Sequence, residues 1–335
     1  MRILVTGCTA MQVDSPRKVN DLISNLESIV NCLRAHHHDV EWRDVELGED
    51  LSNFDRVIAS LSPFASWGTR YMGGVLWALA SHPSVVLAVD DWQVRGIRQS
   101  ALTLWNRDDY FEKTIWSHWG KNGYGCGPVD YRDTLKKMVR VLAHSVWPFK
   151  VLVPAWEGGR LDLLRLPGEI VPYDPSPYMR CYRGYSIHDG TKKRQWICAS
   201  LTSKSGWFAK QRFEWPCIRY GNVREGQQKL PEAELQRVYN ESWGIVSPPH
   251  DVSGSGWFRV RFYMAAWAGA VMLCGDEEAS VFAIPGRLNY YWPSLKTFES
   301  ASDEMLQEIA MQQHMQLTEK SWTRARMADV LLGAL

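Results

Sequence analysis

Residues 243–278 decide the fold: Trp243-Gly244-Ile245-Val246-Ser247-Pro248-Pro249-His250, a serine- and glycine-rich turn, Gly256-Trp257-Phe258-Arg259-Val260-Arg261-Phe262-Tyr263-Met264, then Ala270-Val271-Met272-Leu273 and Asp276-Glu277-Glu278. The pattern reads strand, tight loop, helix, strand, acidic turn. A loop carrying Ser247, His250 and Gly256 into a helix leaves backbone N–H groups free, and such groups suit a phosphate. Arg259 or Arg261 would add a charge-assisted contact to the same anion. These arginines lie about 200° apart around a helix, so they do not share a face. An ordinary βαβ unit with solvated arginines would read the same way, and this stretch alone does not separate the two.

Moving outward, the C-terminal half repeats the theme. Strands are expected at Gln195–Ala199 and Pro216–Tyr220, a helix at 231–240, and mostly helix over 301–335. The N-terminal half predicts strands at Arg2–Thr6, Val40–Val45, Asp55–Ala59, Ser84–Val89 and Lys150–Val153. Helices at 19–34, 71–80 and 133–145 alternate with them, while the tryptophan- and glycine-rich stretch 104–129 reads as irregular. Strands alternating with helices predict an α/β fold with parallel, doubly wound sheets. Four prolines between Pro167 and Pro177 mark the expected boundary, dividing the chain into domains 1–172 and 173–335. Two Rossmann-like halves would face one another across a cleft, closed by C-terminal helices that pack back on the first domain.

Bulk composition narrows the class. A chain of 335 residues suits two domains, and a formal net charge of +1 supplies no global basic field, although a local basic groove remains possible. Seven cysteines without a C-x-x-C pair argue against a zinc knuckle or a disulfide framework. The apolar run at the start is too short for a signal peptide, and no run approaches the roughly 18 residues of a membrane span, so a cytoplasmic protein is expected.

Absent motifs narrow it further. No G-x-G-x-x-G follows the first strand, no Walker loop exists, and no G-x-S-x-G elbow is present. Gly123, Gly125 and Gly127 read as a turn, and His36-His37-His38 as a solvated turn rather than a metal site. The D-x-D pair of many metal-dependent sugar transferases is also missing, which leaves an α/β enzyme handling a phosphorylated ligand, with no metal expected.

Several segments in order resemble one family, the bacteriophage DNA β-glucosyltransferases of GT-B fold. They are Arg261 with Ala270–Leu273 and Asp276-Glu277-Glu278, Asn53-Phe54-Asp55-Arg56-Val57-Ile58, Tyr220-Gly221-Asn222, and Gln312-Gln313-His314 with Trp322. The resemblance implies transfer of a hexosyl or pentosyl group from a nucleotide diphosphate sugar, UDP-linked by analogy, to the hydroxyl of a hydroxymethylated pyrimidine in double-stranded DNA. It implies a catalytic base at Asp91, with Asp90 beside it, because a primary hydroxyl is a poor nucleophile until deprotonated. Either aspartate would otherwise cap the following segment. Arg261 would offset charge on the leaving diphosphate, and Ser200, Thr202, Lys204, Tyr220, Glu277 and Glu278 would complete the donor site. Trp92, Arg95 and Arg98 flank the base and suit acceptor contacts. The resemblance further implies a phage-encoded monomer acting in the host bacterial cytoplasm.

One departure stands out. Where the family carries a donor-holding glutamate, this chain has Met264, which offers no comparable acceptor. The basic runs Lys192-Lys193-Arg194 and Lys136-Lys137-Arg140 could contact phosphate backbone or be solvated faces. Two alternatives remain open: the same fold acting on a glycan, protein or small-molecule acceptor, which the neutral charge favours, and a catalytically silent nucleotide- or DNA-binding module, which Met264 favours.

Overall fold

The computed structural model describes residues 1–7, 20–61, 69–89, 94–116, 131–155, 160–179, 192–199, 217–220, 230–247, 260–274 and 300–335. They fall into two compact units. Unit 1 comprises residues 1–155, 161–178 and 322–335, and unit 2 comprises residues 156–160 and 179–321.

Unit 1 is built on a six-stranded parallel sheet in the order β2-β1-β3-β4-β5-β6. The strands are β1 (Arg2–Thr6), β2 (Asp39–Trp42), β3 (Arg56–Ser60), β4 (Val85–Ala88), β5 (Lys150–Pro154) and β6 (Glu169–Tyr173). Ile3, Leu4, Val5, Val57, Ile58 and Leu87 are fully buried, as continuous apolar strands covered on both faces require. Helices α1 (Asn20–Ala35), α2 (Thr69–Ser81), α3 (Val94–Asn106), α4 (Asp108–Phe111) and α5 (Tyr131–Ala143) connect them.

Two expectations change here. The stretch expected to be irregular from 104 onward is helical through Trp116, with α4 running into a π-helical turn at Glu112–Trp116. Leu104, Phe111 and Ile115 recur at near-helical spacing and are buried, a period that the abundance of tryptophan and glycine obscured. The proline run is likewise more than a linker. Glu169–Tyr173 pairs in register with Lys150–Pro154, so Pro172 sits in the sheet opposite Val153. Because β6 is an edge strand, proline's missing N–H costs no ladder bond there. The chain crosses between units after Ala155, Arg160, Tyr178 and Ser321.

Unit 2 has a four-stranded parallel sheet, β10-β9-β7-β8. Its strands are β7 (Lys193–Ala199), β8 (Cys217–Tyr220), β9 (Ser242–Ser247) and β10 (Val271–Cys274), with helices α6 (Glu232–Asn240), α7 (Val260–Trp267) and α8 (Asp303–Lys320). Its core gathers Ile197, Val238, Tyr239, Ile245, Tyr263, Ala265 and Met272. Gln313 on α8 is buried and its Oε1 accepts the Met272 N–H at 3.0 Å, so a side chain covers a backbone donor on edge strand β10. Ser302 caps α8 by accepting the Met305 N–H, the kind of bond worth about 1 kcal/mol.

The last helix, α9 (Arg324–Ala334), belongs to unit 1. Met327, Ala328, Leu331 and Ala334 enter the apolar core built on β1 and α1. Lys150 Nζ donates to Gly333 O at 3.1 Å, and Arg56 Nε donates to Leu335 O.

Candidate functional site

In an open α/β sheet, ligands bind outside the carboxyl ends of the strands, next to the pair where the connections change direction. Unit 1 has that pair at β1 and β3, and unit 2 at β7 and β9. In unit 1, β1 ends at Gly7, whose φ of +84° and whose distance of only 3.0 Å from a would-be Cβ to Ser60 O and to Val75 Cγ2 leave room for no side chain. Backbone therefore crosses the switch point closely packed against β3.

The donor-site candidates cluster by topology. Ser200, Thr202 and Lys204 follow the carboxyl end of β7, and Ser247 ends β9 with His250 and Gly256 behind it. Those are the two strands flanking the unit 2 switch point. Arg261 lies in the first turn of α7, while Arg259 just precedes the helix. Glu277 and Glu278 follow β10. Ser200, Thr202, Lys204, His250, Gly256, Arg259, Glu277 and Glu278 lie outside the described residues. Tyr220, the last residue of β8, is half-buried and packs against the unit 2 core.

The acceptor-side candidates follow β4. Val89 extends that strand by donating its N–H to Leu152 O at 2.9 Å, and Asp90, Asp91 and Trp92, which come next, lie outside the described residues. Arg95 is in the first turn of α3. Arg98, one turn on, is exposed, and its Nε donates to Ala143 O on α5 at 3.4 Å.

Met264 is 6% exposed and packs in the unit 2 core with Tyr263 and Ala265. It is a core side chain, and residues 248–259, which lead into its helix, lie outside the described residues. Other residues of the resemblance are also structural. Asp55 Oδ2 accepts the Arg2 N–H at 2.7 Å, and the Arg2 guanidinium lies 4.8 Å from the Phe54 ring centroid. His314 Nδ1 lies 3.2 Å from Ala266 O, and its ring meets Trp267 edge-on.

An open concavity at the carboxyl end of β2 is lined by Arg43, Asp44, Glu46, Leu47, Gly48 and Glu49. Its arginine is already paired: Arg43 reaches Glu49 at 2.5 Å and Glu41 at 3.1 Å. Burial pushes the Glu49 carboxyl up, but Arg43 and the Glu46 N–H together hold it below the ordinary glutamate value. Among the described residues no group of three or more His, Cys, Asp or Glu side chains could hold a metal ion, and no described helix is long and apolar enough to cross a membrane.

One buried carboxylate escaped the sequence reading. Asp174, 1% exposed, accepts the Ser176 N–H at 2.9 Å and the Trp322 N–H at 2.8 Å. It thus ties together the unit 1 segments that end at Tyr178 and resume at Trp322. Burial raises its carboxyl, and the bonds from Ser176 and Trp322 and the nearby Arg326 charge only partly oppose that. The signal available was an aspartate before Pro-Ser, a common Asx-turn start, hidden within the proline run.

No protein-family profile matches the chain, and no curated protein matches it in sequence. Solved structures do. T4 phage BGT in complex with its UDP-glucose substrate matches over 99% of this chain and 98% of its own, with a TM-score of 0.60 at 12% identity. A structure of T4 phage β-glucosyltransferase addressing substrate binding and proposed catalytic mechanism matches over 100% and 99%, with a TM-score of 0.61 at 13% identity. The chain has the GT-B fold. A third match is the DNA-modifying enzyme β-glucosyltransferase with and without uridine diphosphoglucose, at a TM-score of 0.60, 13% identity, and 99% and 98% coverage. The six- and four-stranded parallel sheets are the GT-B cores of this chain, and the α9 return completes the first of them.

Proposed function

We propose that this protein is a nucleotide-sugar-dependent glycosyltransferase that moves a sugar to the hydroxyl of a hydroxymethylated pyrimidine in DNA. The observation that carries the reading is the whole-chain GT-B likeness to β-glucosyltransferase structures, one of them in complex with UDP-glucose. Asp91, following β4, removes the hydroxyl proton as the oxygen attacks the anomeric carbon, and Asp90 supports it. The bond to the diphosphate breaks in the same displacement, and Arg261 offsets the charge left there. Ser200, Thr202, Ser247, His250 and Gly256 follow or end the two switch-point strands and suit the donor phosphates. Lys204, Tyr220, Glu277 and Glu278 complete the donor side, while Trp92, Arg95 and Arg98 serve the acceptor. Unit 1 is the acceptor half and unit 2 the donor half.

Labelled nucleotide sugars incubated with hydroxymethylated or plain duplex DNA test this directly. Label entering only the hydroxymethylated duplex is expected. Asp91→Asn should abolish transfer while donor binding, followed by calorimetry, survives. A fully active Asp91→Asn enzyme would remove the base assignment. A second reading, transfer to a glycan, protein or small molecule, draws on the net charge of +1, and label reaching only such an acceptor would establish it.

A further inference from the structure

Helices α3 and α5 pack side by side and antiparallel, and their shared seam carries charge very unevenly. Residues 94–116 and 131–143 hold eight basic side chains and four acidic ones, in a chain whose overall net charge is only +1. All four carboxylates, Asp108, Asp109, Glu112 and Asp133, lie toward one end. There three cations are matched and Lys137 stands exposed: Lys136 Nζ sits 2.8 Å from Asp108, Arg132 pairs with Glu112, and Arg107 reaches Asp109 at 2.9 Å.

The other end is different. Arg98 crosses from α3 to the Ala143 carbonyl of α5, and the Arg140 guanidinium lies over Trp105 with 5.4 Å to the ring centroid. Among the described residues, neither arginine lies within ion-pair distance of a carboxylate. Residues 144–149, which continue from α5, contain no acid. Trp105 is nonetheless 41% exposed, so an indole carrying the Arg140 guanidinium on one face stays open to solvent beside the seam.

We infer that the Arg98–Trp105–Arg140 end of this seam is a contact surface for the phosphate backbone of duplex DNA flanking the modified base. The inference rests on the proposed acceptor. Guanidinium groups suit phosphate oxygens because their planar donor fork is bidentate and weakly hydrated. From Arg98 to Trp105 the helix rises about 10 Å, or roughly three base-pair steps of duplex axis. The indole adds an apolar, polarisable face against which sugar or an unstacked base can lie. The surface is also well placed in the chain, since α3 is the helix that follows the Asp90–Asp91 pair. Among the described residues the carboxylates gather at one end of the seam and the Arg98 and Arg140 guanidinium groups lie beyond their reach, so nucleic acid is expected over the arginine end.

The test is the salt dependence of binding to a fluorescent, unmodified duplex, read by anisotropy on the full chain. Two replaced phosphate contacts, in the double variant Arg98→Met with Arg140→Met, should lower the slope of log K against log salt by about 1.8 and weaken binding about tenfold or more at moderate salt. Lys136→Met, at the matched end, should leave the slope as it is. Circular dichroism and the melting temperature of each variant establish that it has folded. An unchanged slope in the double variant, or an equal loss in Lys136→Met, overturns the inference, as does binding of polyglutamate in place of the duplex. The proposed reaction fails separately: if no sugar reaches DNA but the double variant still flattens the slope, this surface stands and the transfer reading falls. If transfer to hydroxymethylated duplex proceeds and the slope is insensitive to both arginines, the reverse holds.

Discussion

Two basic runs of similar composition, Lys192-Lys193-Arg194 in unit 2 and Lys136-Lys137-Arg140 in unit 1, have opposite fates. In unit 2 the run is consumed by the fold. Lys192 Nζ donates to the Asn240 and Ala268 carbonyls at 2.6 Å each, Lys193 pairs with Glu241 at 2.7 Å, and Arg194 joins Asp303 and the Ala301 carbonyl. In unit 1 only Lys136 is matched to a carboxylate, while Arg140 lies on an aromatic ring. The first run is thus held by carbonyls and carboxylates of its own unit, while Arg140 of the second has no carboxylate within ion-pair reach among the described residues. A charge run acquires its role from the acceptors that the fold brings to it, and those come from elsewhere in the chain.

That contrast between charge spent on the fold and charge left over can be broken by substitution. The largest effect should come from unit 1's own spent group. Asp174→Ala strands two backbone N–H donors and should cost about 3 kcal/mol in urea unfolding. A loss within error of zero would mean that water replaces the carboxylate. The same residue predicts a pH dependence. Its folded pKa is raised, so the native state holds the proton more tightly than the unfolded chain. Its contribution is therefore fully present below the ordinary aspartate value and is lost as pH rises through the raised one. Asp174→Asn cannot titrate, so its stability relative to the parent should improve with pH across that window. A flat difference would contradict the raised value.

Lys192→Met is next. It leaves the Asn240 and Ala268 carbonyls without their cation and should destabilise unit 2 by about 2 kcal/mol. Arg194→Ala removes the tie to the start of α8, at about 1 kcal/mol. Lys137→Met should change stability by less than about 0.5 kcal/mol, because it is exposed and has no partner among the described residues. If Lys192→Met and Lys137→Met melt alike, the distinction between the two runs collapses.

Much of the fold was legible because parallel strands are buried on both faces. Runs such as Ile3-Leu4-Val5 and Val85-Val86-Leu87 announce themselves by apolarity alone. Strand β6 was not legible, since its prolines signal a break unless the strand is known to lie at an edge. Residues 104–116 failed for a related reason: Leu104, Phe111 and Ile115 set the helical period, while polar Asn106-Arg107-Asp108-Asp109 interrupts it. For the site, position along the chain was readable and pairing was not. Ser200 and Ser247 could be assigned to strand ends, but only the sheet order makes those ends neighbours. Met264, aligned by resemblance with a donor-holding glutamate, is a buried core side chain, and its burial was not readable from that alignment.

The return of α9 carries a consequence for synthesis. Met327, Ala328 and Leu331 fill a core whose other walls, β1 and α1, precede all of unit 2 in the chain. The half of the molecule begun first cannot be completed until residues 322–335 have cleared the ribosome, well after unit 2 has been made. Unit 1 should therefore wait as a partly open sheet with an apolar groove exposed, the kind of intermediate that chaperones hold. Ribosome-bound chains stopped before Trp322 should be protease-sensitive in unit 1 and resistant in unit 2.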